Sequence, residues 1–128
     1  HHEVTRSEIK EFAERYDPQW FHVDPERAAD SIHGSLIASG WHTAAMSMRL
    51  FVDGFLEETA TLGGKGIDRL RWPAPVVPGD ELTVHSTIHG VEGTSRVPDC
   101  EVVKWGIETT SGEKTVLVLD ALILVASD

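Results

Sequence analysis

Ser39-Gly40-Trp41-His42-Thr43-Ala44-Ala45-Met46-Ser47-Met48-Arg49-Leu50-Phe51-Val52-Asp53-Gly54-Phe55-Leu56 is the most apolar helical stretch of the chain. Trp41, Ala44, Ala45, Met48, Val52, Phe55 and Leu56 recur at helical spacing and trace a broad stripe that continues to about Thr59. Ser39-Gly40 stands where such a helix starts, and Gly63-Gly64 where it stops. A helix this greasy must be wrapped by something else. From Ile67 onward the pattern supplies the wrapping, because the period changes to strict alternation. Leu82, Val84 and Ile88 alternate with Thr83, His85 and His89, as in a half-buried strand. Gly90 to Gly93 marks a turn, and residues 100–110 alternate again through Val103, Trp105 and Ile107. Ser111-Gly112 is a hairpin signal. Residues 115–125 are apolar on both faces, as in a central strand or one buried against another subunit. The assembly these elements predict is α+β: an antiparallel sheet curled around one long helix.

On the N-terminal side, Thr5-Arg6-Ser7-Glu8 reads as a capping box, and Ile9, Phe12, Ala13 and Tyr16 give the helix behind it one buried face. Asp17-Pro18 ends that helix, since proline disfavours helical geometry in the residue before it. Asp24-Pro25 opens a second, short helix that stops before Gly34.

Composition narrows the class. The chain has 128 residues, 41% hydrophobic and 25% charged, which suits one soluble globular domain over residues 1–128. Eleven Lys+Arg against 21 Asp+Glu leave a formal charge of −10 and no basic run, so nucleic acid is not an expected partner. No apolar run approaches the ~20 residues that span a bilayer, and no signal peptide or membrane association is expected. The lone Cys100 rules out an internal disulfide framework and suits a reducing, cytoplasmic location. His1-His2, which a purification tag would also leave, are set aside. His85 and His89 lie four apart on a strand, roughly 13 Å by the strand rise, too far to share an ion without a bulge. His33 and His42 have no ligand spacing, so no metal is expected.

Two constellations can carry chemistry. Residues 16–24, Tyr-Asp-Pro-Gln-Trp-Phe-His-Val-Asp, place the Asp17 carboxylate and the His22 imidazole on an irregular turn after a helix. Such a turn lets both converge, one taking a proton while the other holds or donates one. On spacing alone, a helix-terminating Asp and a surface His are the favoured account of the pair. Gly40 opens the core helix, so its N–H belongs to the unpaired first turn at the positive end of the dipole. A carbonyl oxygen placed there is stabilised as it gains charge, and glycine allows close approach; a flexible helix entry is the plainer alternative. His42, just inside the helix, either lines the same pocket or is an ordinary helix-start residue.

These residues resemble the MaoC-like dehydratases, a family of single-domain hot-dog folds that includes the (R)-specific enoyl-CoA hydratases. The family's hydratase motif is Asp, any residue, Asn-Pro, an aliphatic residue and His; Asp17-Pro18-Gln19-Trp20-Phe21-His22 keeps its Asp and His. Gly40 stands where the family has the glycine whose N–H binds the thioester carbonyl. Residues 71–82, Arg-Trp-Pro-Ala-Pro-Val-Val-Pro-Gly-Asp-Glu-Leu, look like its PV-x-x-GD-x-L strand entry. Gln19 replaces the motif's asparagine and Trp20 its proline, and a leading strand usual in close relatives has no counterpart before Thr5. The natural chain is therefore expected to begin earlier.

The resemblance implies hydration of a trans-2-enoyl-CoA, or the reverse. Asp17 would accept a proton from water, His22 would orient that water and supply the C2 proton, and the Gly40 N–H would stabilise the oxyanion. Gln19, Trp20, Ser39, Trp41 and His42 would contact substrate, with Trp20 and Trp41 narrowing an acyl tunnel. No cofactor is implied, since CoA is the substrate's carrier. CoA is polyanionic, so Lys65, Arg69 and Arg71 are the candidates for a local basic patch, with a solvated strand face as their other reading. A hot-dog thioesterase is the rival enzyme, although its carboxylate usually sits on the core helix, which here offers only Asp53, Glu57 and Glu58. A non-catalytic acyl-CoA-binding or partner-stabilising subunit is the rival of another class. The apolar residues 115–125 and the open sheet edge imply a homodimer with the site at its junction.

Overall fold

The computed structural model describes residues 1–56, 61–94 and 100–126, the side chains of 92–94 excepted. Its first element, β1 (His2–Glu3), is followed by α1 (Arg6–Tyr16), α2 (Trp20–Val23), α3 (Pro25–Ala29) and α4 (Gly40–Phe51). One π-helical turn, Val52–Leu56, prolongs α4. Four long strands come next: β2 (Thr61–Arg71), β3 (Glu81–Thr94), β4 (Cys100–Ser111) and β5 (Lys114–Ala126). They form one antiparallel sheet in the order β1-β3-β4-β5-β2, curled against α4, which is the hot-dog arrangement.

Local chemistry explains most boundaries. Thr5 Oγ1 accepts the Glu8 N–H at 3.2 Å and starts α1, while the Asp24 carboxylate accepts the Arg27 N–H at 3.1 Å and starts α3 behind Pro25. The reciprocal half of the Thr5 box is altered, because Glu8 takes the Thr5 hydroxyl and the His2 ring. Gly112, at φ 58°, lets β4 turn directly into β5, with Ser111 opposite Lys114.

Three expectations about boundaries are corrected. β2 begins at Thr61, before the expected Ile67, and runs through Gly63-Gly64. Gly63 adopts φ 136°, which a β-carbon would resist, and absorbs a bulge against β5. β3 passes through Gly90 as far as Thr94, so the turn expected at Gly90–Gly93 is a bulged strand. His2, set aside on sequence grounds, pairs with Leu82 as part of an edge strand ahead of Thr5. Thr59, where the helical stripe was expected to end, lies outside the described residues.

The core lies between α4 and the sheet. Phe51 is fully buried and meets Trp105 edge to face, centroids 5.3 Å apart, among Ile107, Leu117, Leu119, Ala121 and Ile123. Burying a phenylalanine contributes about 1.5–3 kcal/mol. A second cluster ties Ile9, Ala28, Leu36, Met46 and Val76 beneath the N-terminal helices. The face α4 buries differs from the stripe of large apolar residues. It consists of His42, Thr43, Met46, Ser47 and Phe51, whereas Trp41, Met48, Val52 and Phe55 are exposed, as is Tyr16 on α1. Buried hydroxyls on that face are paired: Ser47 donates to Thr43 O at 2.8 Å and meets Thr109 Oγ1 of β4 at 2.6 Å.

Candidate active site

Asp17 closes α1, its N–H donating to Ala13 O at 2.8 Å, and Pro18 prevents a further turn. The chain folds back at once. Gln19 N–H donates to Asp17 O at 2.8 Å, and His22 N–H to Gln19 O at 2.9 Å as α2 forms. The expected irregular turn thus contains one turn of helix. That turn brings His22 Nε2 to 3.4 Å from Asp17 Oδ2.

Both groups are held from elsewhere in the fold. His22 is 5% exposed, and its Nδ1–H donates to Ile37 O at 2.7 Å. A carbonyl only accepts, so Nδ1 carries a hydrogen, and Nε2 is the ring atom turned toward the carboxylate. Asp17 accepts the Gln19 amide on Oδ1 and the Ser39 hydroxyl on Oδ2, each at 2.7 Å. Burial alone pushes the Asp17 carboxyl up. The bonds from Gln19 and Ser39, joined by the charge of the His22 ring when it is protonated, outweigh that push and hold the carboxyl below the usual carboxylate value.

Ser39 stands at the N-cap of α4 but makes no capping bond with its side chain, having turned its hydroxyl to Asp17. The amides at the head of α4, Gly40 first, are thus left without a side-chain acceptor at the positive end of the helix. Asp17, His22, Gly40, Trp41 and Thr43 share a cleft of about 330 Å³ with Trp72 and the chain that follows it to Val76. Val76 O accepts the Ala38 N–H at 2.8 Å and fixes that wall. Two faces of the cleft are therefore chemically distinct, an acid–base pair and a helix head, with an aromatic and proline-rich wall beside them.

The remaining sequence candidates divide. Gln19, Ser39 and Trp41 sit at the cleft or on its carboxylate. Trp20 does not line it: the indole lies on the surface, edge to face with Phe21 and under the Arg27 guanidinium at 4.7 Å. His42 points to the other flank of α4, stacked on Phe12 at 4.6 Å and facing Glu8 at 3.7 Å in a separate cavity of about 250 Å³. Burial lowers the His42 pKa, with the Glu8 charge opposing the shift. Arg69 is paired with Asp120 at 3.3 Å, and neither it nor Lys65 nor Arg71 lines the cleft. Asp53 is bonded to Arg49 beyond the cleft, and Glu57 and Glu58 lie outside the described residues. Among the described residues no three His, Cys, Asp or Glu side chains are grouped to hold a metal ion. No helix among them is long and apolar enough to cross a membrane.

Sequence reading missed Trp72. It stands inside the segment read as a strand entry, and nothing in a linear pattern places its ring on Gly40. Ser39 was read as a substrate contact, whereas its hydroxyl is spent on Asp17.

Known proteins resemble this chain in sequence and in fold. A MaoC like domain matches residues 1–110. The chain is 32% identical over 122 residues to 3-hydroxyacyl-thioester dehydratase Z of Mycobacterium tuberculosis, covering 94% of this chain and 81% of that one. It is 39% identical to a MaoC-like dehydratase from Rhodospirillum rubrum, whose structure superposes with a TM-score of 0.91 over 99% of this chain and 87% of that one. An R-hydratase from Pseudomonas aeruginosa shares the fold at 21% identity and a TM-score of 0.73, over 99% and 77% of the two chains. With the helix, the curled sheet and the domain match agreeing over most of its length, the chain belongs to the MaoC-like domain family.

Proposed function

We propose that the protein is a hydro-lyase that adds water to the double bond of a trans-2-enoyl-CoA thioester, or removes it from the 3-hydroxyacyl thioester. One observation carries the reading: the Asp17–His22 pair, 3.4 Å apart, shares a cleft with the free head of α4. The names of the Mycobacterium tuberculosis and Rhodospirillum rubrum relatives, both dehydratases, point the same way.

The chemistry follows from the atoms. A water between Asp17 and His22 Nε2 finds two acceptors, which orient its oxygen toward C3. As the oxygen attacks, one water proton passes to the pair and the C2=C3 electrons move toward the thioester carbonyl. The Gly40 N–H meets the charge that gathers on the carbonyl oxygen, a contribution of about 10²–10³-fold where it has been measured. The pair then returns a proton to C2. A carboxyl held low gives up a proton readily, so Asp17 regains its charge when C2 is protonated. Oxygen ends on C3 and hydrogen on C2, and the site is unchanged. The neutral His22 ring begins as an acceptor at Nε2, so a proton it delivers to C2 is one it has first received. Side chains and one amide supply every step, with no cofactor in the scheme.

The protein is further proposed to act as a homodimer. β2 is an edge strand with Leu62 and Ile67 exposed, and Trp41, Met48, Val52 and Phe55 expose a continuous share of α4. A second copy covers such a surface, and β2 leads directly into the cleft wall at Trp72. The lone free Cys100 suits a reducing cytoplasm.

Crotonyl-CoA hydration, followed by loss of the conjugated enoyl-thioester absorbance, tests the reading. Asp17→Asn and His22→Ala should each lower kcat by about 10²-fold or more with the fold retained. Near-full activity in either variant removes that residue from the mechanism.

A further inference from the structure

We propose that Trp72 is the residue that limits the acyl group, and that position 40 is glycine because the Trp72 indole occupies the place of its side chain. The proposal rests on the hydratase reading of the cleft and names the substrate class it admits: slim, short-chain 2-enoyl thioesters.

Gly40 does not need its backbone freedom. It is a helical residue at the first position of α4 and is absent from the glycines with left-handed φ. A β-carbon there would lie 2.6, 2.8 and 2.9 Å from Cε2, Cδ2 and Cζ2 of Trp72. Near-equal distances to three consecutive ring atoms put the face of the indole, not its edge, on the glycine. These separations are inside van der Waals contact, so any larger residue at 40 must displace the ring.

The chain on both sides of the ring is held, although the ring itself is 41% exposed. Arg71, the residue before it, is paired with Val118 in the sheet. Four residues later Val76 is tied to Ala38, and Pro73 and Pro75 stiffen the chain between. The indole also meets Trp41 edge to face, centroids 5.4 Å apart. Trp72 is thus a wall, carried on anchored backbone, beside the amide proposed to bind the thioester oxygen. An acyl group whose carbonyl reaches that amide must pass along the indole. Bulk on the acyl group competes with the ring for the same volume.

The test uses the full chain, with crotonyl-CoA and trans-2-octenoyl-CoA as probes. Trp72→Ala should raise the octenoyl-to-crotonyl ratio of kcat/KM by about tenfold or more, since even one methylene is worth 10–200-fold in a tight pocket. Trp72→Leu, which keeps more bulk should the alanine variant fail to fold, should give a smaller rise. Gly40→Ala should lose about tenfold or more on both substrates, and Trp72→Ala in that background should restore most of the loss. A ratio that stays put in both Trp72 variants, or a Gly40→Ala defect that persists without the indole, overturns the proposal and leaves the hydratase reading standing. Wild-type protein that hydrates neither thioester overturns both.

Discussion

Ser47 and Thr109 share one hydrogen bond, yet deleting either end should give unequal losses. Their oxygens are 2.6 Å apart, and the two residues are 2% and 0% exposed. Ser47 Oγ is also 2.8 Å from Thr43 O, and a carbonyl can only accept, so the single Ser47 proton is committed there. Thr109 is therefore the donor in the bond between α4 and β4. Thr109→Val keeps the shape, removes the donor and leaves Ser47 bonded to Thr43; the loss is one net hydrogen bond, about 0.5–1.5 kcal/mol. Ser47→Ala instead strands the Thr109 hydroxyl in a dry site, which costs about 1–3 kcal/mol. The double variant strands nothing, so it should be less destabilised than the two singles added together. Urea melts at one fixed protein concentration measure all four proteins, with the slope checked for constancy. A Thr109→Val loss equal to or larger than the Ser47→Ala loss, or strict additivity in the pair, would refute the donor assignment.

Ser39→Ala removes one of the two hydrogen bonds on the Asp17 carboxylate without touching substrate in the scheme above. kcat on crotonyl-CoA should drop by about tenfold, the scale of one charge-assisted bond discounted for a partly exposed acceptor. Because that bond helps hold the carboxyl low, its loss moves the Asp17 titration upward, and the acid limb of the pH–rate profile should move up with it; an unchanged limb argues that Ser39 only fills space. Sedimentation at micromolar concentration should show the wild type as a dimer, and Ile67→Glu, on the exposed edge strand, should shift it to monomer. A monomeric wild type contradicts the proposed covering of α4 and β2.

Much of this was legible because it is local. The five-residue spacing of Asp17 and His22 across a proline stop, the caps at Thr5 and Asp24, and the turn at Gly112 each follow from a few neighbouring residues. The buried phase of α4 did not. Hydropathy favours Trp41, Met48, Val52 and Phe55, but an alternating or helical period cannot distinguish a face kept for the sheet from one kept for a partner. The face that α4 buries carries His42, Thr43 and Ser47, and its hydroxyls are tolerable only because of bonds to Ser39 O, Thr43 O and Thr109. Trp20 misled for a related reason. Its bulk suggested a tunnel wall, whereas a surface guanidinium covers it. Lys65, Arg69 and Arg71 would share one face of an unbroken strand, but β2 is bulged against β5 between Gly64 and Gly66 and between Ile67 and Arg69, and Arg69 meets Asp120 on β5 instead of the cleft.

The site draws its parts from three places, and residues 36–39 join them. This stretch is extended and lies outside every helix and strand, yet Leu36, Ile37, Ala38 and Ser39 are all buried. Irregular chain in a core is tolerable only when its polar groups are paired. Ile37 N–H goes to Phe21 O and Ile37 O takes the His22 ring, which docks the acid–base corner. Ala38 N–H goes to Val76 O, which docks the Trp72 wall. Ser39 O takes the Thr43 N–H and launches α4, while its hydroxyl holds Asp17. The bonds that make burial of this stretch affordable are thus the same ones that aim the Asp17–His22 pair, the wall and the helix head at a single cleft. A substitution that loosens residues 36–39 should therefore damage stability and turnover together, whereas Ser39→Ala, which spares every backbone bond, separates the two.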